Sequence, residues 1–375
     1  MKKCLIMPDS FKGTLSAVQI CEIMKKQINK HFPDCNVIAI PVADGGEGTV
    51  DSFLYASNAK KIEIITSGPY GECIKTYYAK IEDTAIIEMA SAAGLPMVEN
   101  NKNPIKTTTY GVGTIIKEVV KNGCKNIIVG LGGSCTNDGG VGMARALGTI
   151  FYDERGQEIV PYSNEFYKIA YIDNSATEKF LKDCKITAMC DIDNPLCGKK
   201  GASYIFGPQK GANSEMVFEL DKNLKHLSNI ILKSLRKDVC NMPGAGAAGG
   251  MGAGIVAFLN GNLKSGIDTV LDFIEFEKLS KNADIIFTGE GKIDSQSLRG
   301  KVVIGIAQRA KKQNIPVIAV VGTIGEGADG AYDMGVSSIF SINRQAVDFE
   351  KSKYCSAENL EKTMDSILRF YKIIK

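Results

Sequence analysis

The sequence predicts an α/β protein of two domains, and three observations lead to this prediction. Short apolar runs rich in β-branched residues alternate with helical periodicity near the N-terminus, at residues 107–148 and at residues 283–375, which is typical of parallel sheets. Residues 61–98 instead alternate apolar and polar positions, as an antiparallel meander does. The 375 residues suffice for two domains of about 150 residues each.

The individual elements follow from the same periodicities and from the residues that interrupt them. The predicted strands are residues 3–7, 36–41, 126–131, 186–190, 283–288, 316–322 and 337–341. The predicted helices are residues 16–31 with Ser16 as N-cap, a helix ending near residue 57, and residues 113–121, 141–147, 215–235, 302–313 and 360–371.

The order of these elements indicates discontinuous domains. We expect a Rossmann-like parallel sheet built from residues 1–60, 106–148 and 266–375. Residues 61–105 and 149–265 are expected to form a second, inserted domain of mixed α/β structure.

Composition excludes several classes of protein. The net charge of +3 is spread along the chain, whereas nucleic-acid binders usually carry a concentrated basic face. No apolar run approaches the roughly 20 residues that span a bilayer, and Pro8 and Asp9 end the first apolar run too early for a signal peptide. The eleven cysteines are scattered without a CxxC pair; Cys4, Cys184 and Cys190 are interpreted as small hydrophobic residues of a cytoplasmic protein.

Six polar, glycine-rich loops, most of them after a predicted strand, carry the candidate chemistry. Glycine lets backbone N–H groups approach an anion, lysine and arginine neutralise phosphate or carboxylate, and carboxylates hold Mg²⁺ or accept a hydroxyl proton. Together they indicate a site for a nucleotide, a metal and a small acid. The loops are residues 8–14, 44–49, 132–140, 191–196 with 207–211, 244–254 and 289–301.

Two of these loops leave alternatives open. Residues 244–249, GAGAAG, match a dinucleotide fingerprint, which would suit an NAD(P)-dependent oxidoreductase. However, Asn241 and Pro243 precede them instead of a strand, so close helix packing through small residues is the competing interpretation. Residues 289–292, GEGK, do not form a Walker A motif. A non-catalytic nucleotide or sugar-acid sensor is a further alternative.

Eight segments in order resemble the bacterial type I glycerate kinase family. They span residues 8–301 and are PDSFKGTLSA, VADGGEGT, ASAAGLP, GGSCTNDGG, CDIDNPLCG, FGPQKGA, GAGAAGGMGAG and GEGKIDSQSLRGK.

The resemblance implies ATP-dependent phosphorylation of D-glycerate with Mg²⁺, to 2-phosphoglycerate in preference to 3-phosphoglycerate. It also implies two α/β domains, one of them flavodoxin- or Rossmann-like, with the active site in the cleft between them. The expected partners are D-glycerate and ATP, without nucleic acid or membrane, and a homodimer is left open.

Phosphoryl transfer depends mainly on positioning and charge neutralisation, and the residues are assigned on that basis. Asp191 is the predicted base because it follows an apolar strand, and Asp294 is the alternative. Lys12 is expected to meet the transferred phosphate, and Arg299 the glycerate carboxylate.

The remaining assignments are grouped by ligand. Further substrate contacts are predicted for Ser10, Ser134, Thr136, Asn137 and Asp138. ATP contacts are predicted for Gln209, Lys210, Gly289, Gly291 and Lys301, and metal ligands are predicted to be Asp44, Glu47 and Glu290.

Overall fold

A computed structural model describes most of the chain. It leaves out residues 44, 47, 346, 347, 349–352 and 375, and the side chain of Arg299. The strands of the described residues are β1 (Lys3–Pro8), β2 (Asn36–Ala39), β3 (Lys60–Ser67), β4 (Cys73–Ile81), β5 (Thr84–Glu88), β6 (Asn126–Gly130), β7 (Ile150–Tyr152), β8 (Glu158–Ile159), β9 (Tyr171–Asp173), β10 (Lys185–Met189), β11 (Asn262–Lys264), β12 (Ile285–Gly289), β13 (Lys292–Ile293), β14 (Val317–Val321), β15 (Thr323–Ile324) and β16 (Ser338–Ser341).

The predicted helices are confirmed to within a few residues at their ends, and the structure adds helices that the sequence analysis did not predict. They are α1 (Ala17–His31), α2 (Thr49–Ala56), α3 (Ala90–Ala93), α4 (Tyr110–Lys121), α5 (Val141–Leu147), α6 (Ser175–Leu181), α7 (Ala202–Phe206), α8 (Ser214–Leu235), α9 (Ala247–Leu259), α10 (Gly266–Phe273), α11 (Phe276–Leu279), α12 (Val302–Lys311), α13 (Gly330–Asp333) and α14 (Ser356–Ile374). Short 3₁₀ helices include Pro208–Lys210 and Ser297–Arg299.

Helix α1 begins where the sequence predicts. The hydroxyl of Ser16 accepts a hydrogen bond from the backbone nitrogen of Gln19, and the Gln19 side chain accepts one from the backbone nitrogen of Ser16. This reciprocal capping box satisfies two donors that a helix start otherwise leaves unpaired. Ile20, Met24 and Ile28, spaced four residues apart, form the buried face of the helix.

The first compact unit comprises Met1–Asp44, Asp51–Asn58 and Ser265–Lys375. Its sheet is entirely parallel, in the order β16-β14-β12-β1-β2. Counted along this unit alone, the strand order is 2-1-3-4-5, which is the flavodoxin-like arrangement. Successive residues of β1, such as Leu5 and Ile6, are both fully buried, because a parallel sheet of this kind is covered on both faces.

The second compact unit comprises Gly45–Val50 and Ala59–Lys264. Its main sheet has the order β11-β10-β6-β5-β4-β3, in which the first four strands are parallel and β4 and β3 are antiparallel. A small antiparallel sheet, β8-β7-β9, belongs to the same unit. The predicted meander is confirmed for β3, β4 and β5, although β5 then pairs in parallel with β6.

The structure corrects one part of the predicted domain assignment. Residues 106–148, which the sequence analysis placed with the two chain ends, lie in the second unit. Ile128 of β6 pairs with Ile86 of β5 on one side and with Thr187 of β10 on the other. A buried parallel strand has the same apolar composition in either sheet, so its sequence does not identify its neighbours.

Two further sequence expectations concern membranes and thiols. Among the described helices, none is both long and apolar enough to cross a bilayer.

All eleven cysteines are free thiols. Cys4 is fully buried, whereas Cys184 and Cys190 are half-buried.

Candidate functional site

In the first unit, the predicted residues gather at the carboxyl ends of β1 and β12. These adjacent strands lie where the strand order reverses, which is the position at which open α/β sheets bind ligands. The loops that leave them touch: the backbone nitrogen of Asp9 donates to the carbonyl of Gly289 at 2.8 Å. A Cβ on Gly291 would lie 3.4 Å from the backbone nitrogen of Lys12.

This strand-end region brings together most of the residues predicted in the first unit. Lys12 is exposed, and Lys301 is the N-cap residue of α12. Arg299 ends the 3₁₀ helix of the same loop, and its side chain is outside the description. The predicted metal ligands Asp44 and Glu47 also lie outside the described residues. The residues located here are Ser10, Lys12, Gly289, Glu290, Gly291, Asp294 and Lys301.

Glu290 is a buried carboxylate whose pKa is strongly raised by its surroundings. It follows β12 and is 6% exposed, and its Oε1 has no hydrogen-bond partner among the described residues. Burial raises the pKa of Glu290 to about 7, with smaller increases from Asp9 and Asp294, while Ser297 and Lys301 oppose the shift. Glu290 therefore changes charge near neutral pH, as groups at functional sites often do.

Asp294 has a different environment from Glu290. Its Oδ2 lies 3.0 Å from Nζ of Lys292, and its Oδ1 accepts from the backbone nitrogen of Gln296 at 2.9 Å. Chiefly through the hydrogen bond from Lys292, the pKa of Asp294 is lowered below its ordinary value. Asp294 is consequently an ionised and weakly basic carboxylate.

In the second unit, residues 132–140 connect β6 to α5, as the sequence predicts. The Nζ of Lys210, 1% exposed, donates to Oγ of Ser134 at 2.9 Å and to the carbonyl of Thr136 at 2.6 Å. Burial lowers the pKa of Lys210 to about 8. A lysine from a separate segment thus anchors the middle of this polar loop.

Thr136 and Asn137, in the middle of the same loop, are fully buried. The Nδ2 of Asn137 donates to Oγ of Ser203 at 3.1 Å. Oγ1 of Thr136 and Oδ1 of Asn137 have no partner among the described residues. Such unpaired buried oxygens are uncommon and often occur at functional positions.

Asp138 has a structural role within the same loop. Its carboxylate accepts hydrogen bonds from the backbone nitrogen and hydroxyl of Thr109 and from the backbone nitrogens of Gly140 and Gly142. Burial raises the pKa of Asp138, and these four donors oppose the shift. Thr109 was missed by the sequence analysis; its position just before a helix was the only available signal.

Residues 244–254 pack against this loop. A Cβ on Gly249 would lie 1.9 Å from the carbonyl oxygen of Thr136, and one on Gly254 would lie 2.6 Å from that of Gly139. Gly249 also has a φ of +69°. Residues 236–243, directly before this segment, form no strand. The structure therefore favours close packing through small residues over a dinucleotide site.

Asp191 follows β10, which neighbours β6 in parallel. Both strands therefore send their following loops to the same sheet edge. Asp191 is exposed, as is Gln209 beside Lys210. The second unit thus groups the polar loop, Lys210 and Asp191 at one end of its sheet.

The carboxylates of the strand-end loops are the candidate ligands of a metal ion. The described part of the chain contains no cluster of three or more His, Cys, Asp or Glu side chains placed to hold a metal. Mg²⁺ usually needs only one or two protein carboxylates, since substrate phosphates and water complete its coordination. Glu290, with its unpartnered Oε1, fits that limited role.

The flavodoxin-like sheet and the charged strand-end loops define an α/β protein that binds small anionic ligands. The chain matches the model of the glycerate kinase family over residues 4–372. It is 44% identical to the glycerate kinase of Bacillus cereus over 374 residues, which cover 99% of this chain and 98% of that protein. The chain belongs to the glycerate kinase family and is a phosphotransferase.

Two further relatives agree with this assignment. The glycerate 2-kinase of Escherichia coli K12 is 44% identical over 343 residues, covering 91% of this chain and 90% of that protein. A crystal structure from Salmonella typhimurium LT2, of a protein assigned as glycerate kinase 2, superposes with a TM-score of 0.88 and 38% identity. It covers 99% of this chain and 98% of that one.

Proposed function

We propose that this phosphotransferase transfers the γ-phosphoryl group of ATP to D-glycerate and forms 2-phosphoglycerate in preference to 3-phosphoglycerate. The observation that carries the proposal is the family match over residues 4–372. The similarity to a protein named glycerate 2-kinase supports position 2 as the acceptor. The eleven free thiols support a cytoplasmic location, and a homodimer remains a prediction.

The protein's task in this reaction is to position two anions and to neutralise charge. We assign Asp191 as the group that accepts the hydroxyl proton, with Asp294 as the alternative. The low pKa of Asp294, to which the hydrogen bond from Lys292 contributes most, makes it a weak base. The exposed side chain of Lys12 is available to a transferred phosphate at the end of β1.

The remaining substrate and nucleotide contacts are proposed for individual residues of the strand-end loops. Arg299 is assigned to the glycerate carboxylate because a guanidinium binds carboxylate in bidentate fashion. The other proposed substrate contacts are Ser10, Ser134, Thr136, Asn137 and Asp138. Gln209, Gly289, Gly291 and Lys301 are proposed to contact ATP.

Mg²⁺ would be held by Glu290 together with the predicted ligands Asp44 and Glu47. The ion, when bound, neutralises charge on the ATP phosphates. The contribution of Glu290 is an ionised carboxylate, which its pKa of about 7 makes available above neutral pH.

The direct test is ³¹P NMR of the purified protein with MgATP and D-glycerate. A new phosphomonoester resonance that couples to one proton identifies 2-phosphoglycerate, whereas coupling to two protons identifies 3-phosphoglycerate. Glycerol, which lacks the carboxylate, is the matched control and should give no product. If ATP stays intact with D-glycerate at every metal and pH tested, the proposed reaction is wrong.

A further inference from the structure

Lys210 has an unusual position for a lysine, because its ammonium group is buried without a carboxylate partner among the described residues. Its two acceptors, the hydroxyl of Ser134 and the carbonyl of Thr136, are neutral. Asp138 acts on it only at a distance, since the oxygens of Asp138 accept from Thr109 and two glycines. Buried charges are normally paired, so the uncompensated charge of Lys210 acts mainly on the two neutral groups that it contacts, Ser134 and Thr136.

Lys210 also determines whether the Ser134 hydroxyl acts as a hydrogen-bond donor or acceptor toward other groups. A serine hydroxyl offers one hydrogen and two lone pairs. Because Lys210 donates to Oγ of Ser134 at 2.9 Å, the serine hydrogen must point elsewhere. No described residue accepts it, and the 6% exposure of Ser134 places its side chain at the edge of the buried region. Ser134 is therefore held as a hydrogen-bond donor.

We infer that Lys210 is a positioning residue that fixes Ser134 as a donor to the carboxylate of D-glycerate. The inference rests on the proposed function and replaces the predicted role of Lys210 as an ATP contact. The Nζ of Lys210 already donates to two groups of the protein, whereas nucleotide phosphates usually require direct cationic contacts. A carboxylate has about four acceptor positions, and Ser134 would donate to one of them.

The protonation state of Lys210 gives the proposal a signature. Desolvation lowers the pKa of Lys210 to about 8, while the negative charge of Asp138 acts in the opposite direction. The thiol of Cys135 stays neutral in this range because burial raises its pKa to about 12. Above pH 8 a neutral amine can accept the Ser134 hydrogen and turn it inward. Glycerate affinity should then fall, and nucleotide affinity should not.

The proposed role of Lys210 is tested by isothermal titration calorimetry of the full chain, with D-glycerate and separately with MgADP. Lys210→Met and Ser134→Ala should each weaken glycerate binding about tenfold or more. The first variant removes the hydrogen bond that orients Ser134, and the second removes the proposed donor to the glycerate carboxylate. MgADP binding should be unchanged. The matched control is Lys237→Met, because Lys237 is also partly buried and donates to the carbonyls of Val256 and Ala257. It should leave glycerate binding unchanged.

The outcomes separate this inference from the proposed function. If the wild-type protein does not bind D-glycerate at all, the proposed function fails. If the wild type binds it and Lys210→Met weakens MgADP binding instead, Lys210 is a nucleotide ligand and the inference is overturned. If Lys210→Met fails to fold, the inference is tested by Ser134→Ala and by the pH dependence of glycerate affinity in the wild-type protein. Unchanged affinity in the serine variant, or across pH 7–9, overturns the inference.

Discussion

Thr109 donates two hydrogen bonds to the same oxygen of Asp138: its backbone nitrogen and its hydroxyl each lie 2.8 Å from Oδ2. The Thr109 hydroxyl oxygen also accepts from the backbone nitrogen of Met143 at 2.9 Å. These contacts connect the start of α4 to the loop between β6 and α5. The loop of residues 132–140 is therefore held by a buried network in addition to its own turns.

Breaking this network should destabilise the protein. Asp138→Asn turns an amide toward backbone donors and should lower the free energy of unfolding by about 2–4 kcal/mol. Thr109→Val should cost about 1–3 kcal/mol. Thr114→Val, on the same helix, removes a hydroxyl bonded at 3.3 Å near the surface and should cost less than about 0.5 kcal/mol. Urea unfolding of the three variants is the measurement, and equal losses at positions 109 and 114 would contradict the network.

The packing of Gly249 against Thr136 can be isolated with a second glycine. Gly249 and Gly156 have similar φ values, +69° and +74°, but only Gly249 has an atom within reach of an added Cβ. Gly156→Ala should cost about 1–2 kcal/mol from backbone strain alone. Gly249→Ala should cost about 1–3 kcal/mol more because of overpacking, and it should also reduce activity. Thermal unfolding and turnover check this, and equal stability of the two variants would exclude the close contact.

Glu290 should link activity and stability to pH in opposite directions. Activity should rise as pH increases through about 7, because the ionised form is the one proposed to act. The pKa of folded Glu290 is above its unfolded value, so its contribution to stability is complete below about pH 4.3 and is lost as pH rises through 7.

Glu290→Gln tests both directions. At pH 8 it should raise the Tm, because no charge is buried, while it lowers kcat by about tenfold or more because the proposed Mg²⁺ site loses a carboxylate. At pH 5 the Tm difference should shrink. A variant that keeps wild-type kcat would remove Glu290 from the site, and one with an unchanged Tm difference between pH 5 and 8 would contradict the raised pKa.

The proposed base can be tested against its alternative and a neighbour. Asp191→Asn should lower kcat about 10²–10⁴-fold, as expected for loss of a general base. Asp193→Asn, an exposed residue two positions further along, should change kcat less than about threefold if it is only a turn residue. Steady-state kinetics decide, and a greater loss in Asp294→Asn than in Asp191→Asn would transfer the role to Asp294.

Local features of the sequence predicted much of the local structure. The capping residues Ser16 and Gln19, the glycines around residues 132–140 and the period of α8 all act within one or two turns of chain. The position of the polar loops at strand ends follows equally from local pattern. The environments of individual carboxylates do not: nothing near Glu290 in the sequence separates its raised pKa from the lowered one of Asp294.

By itself, the sequence determined the α/β class, many of the helices and strands and the loops that carry the polar residues, because these depend on periodicity and turn chemistry between near neighbours. Only the tertiary structure decided that β6 pairs with β5 and β10, and that Lys210 is buried against Ser134. Both are contacts between residues distant in the chain. Strand neighbours and side-chain burial are selected by the packing of the whole unit, so the residues involved carry no local mark of their partners.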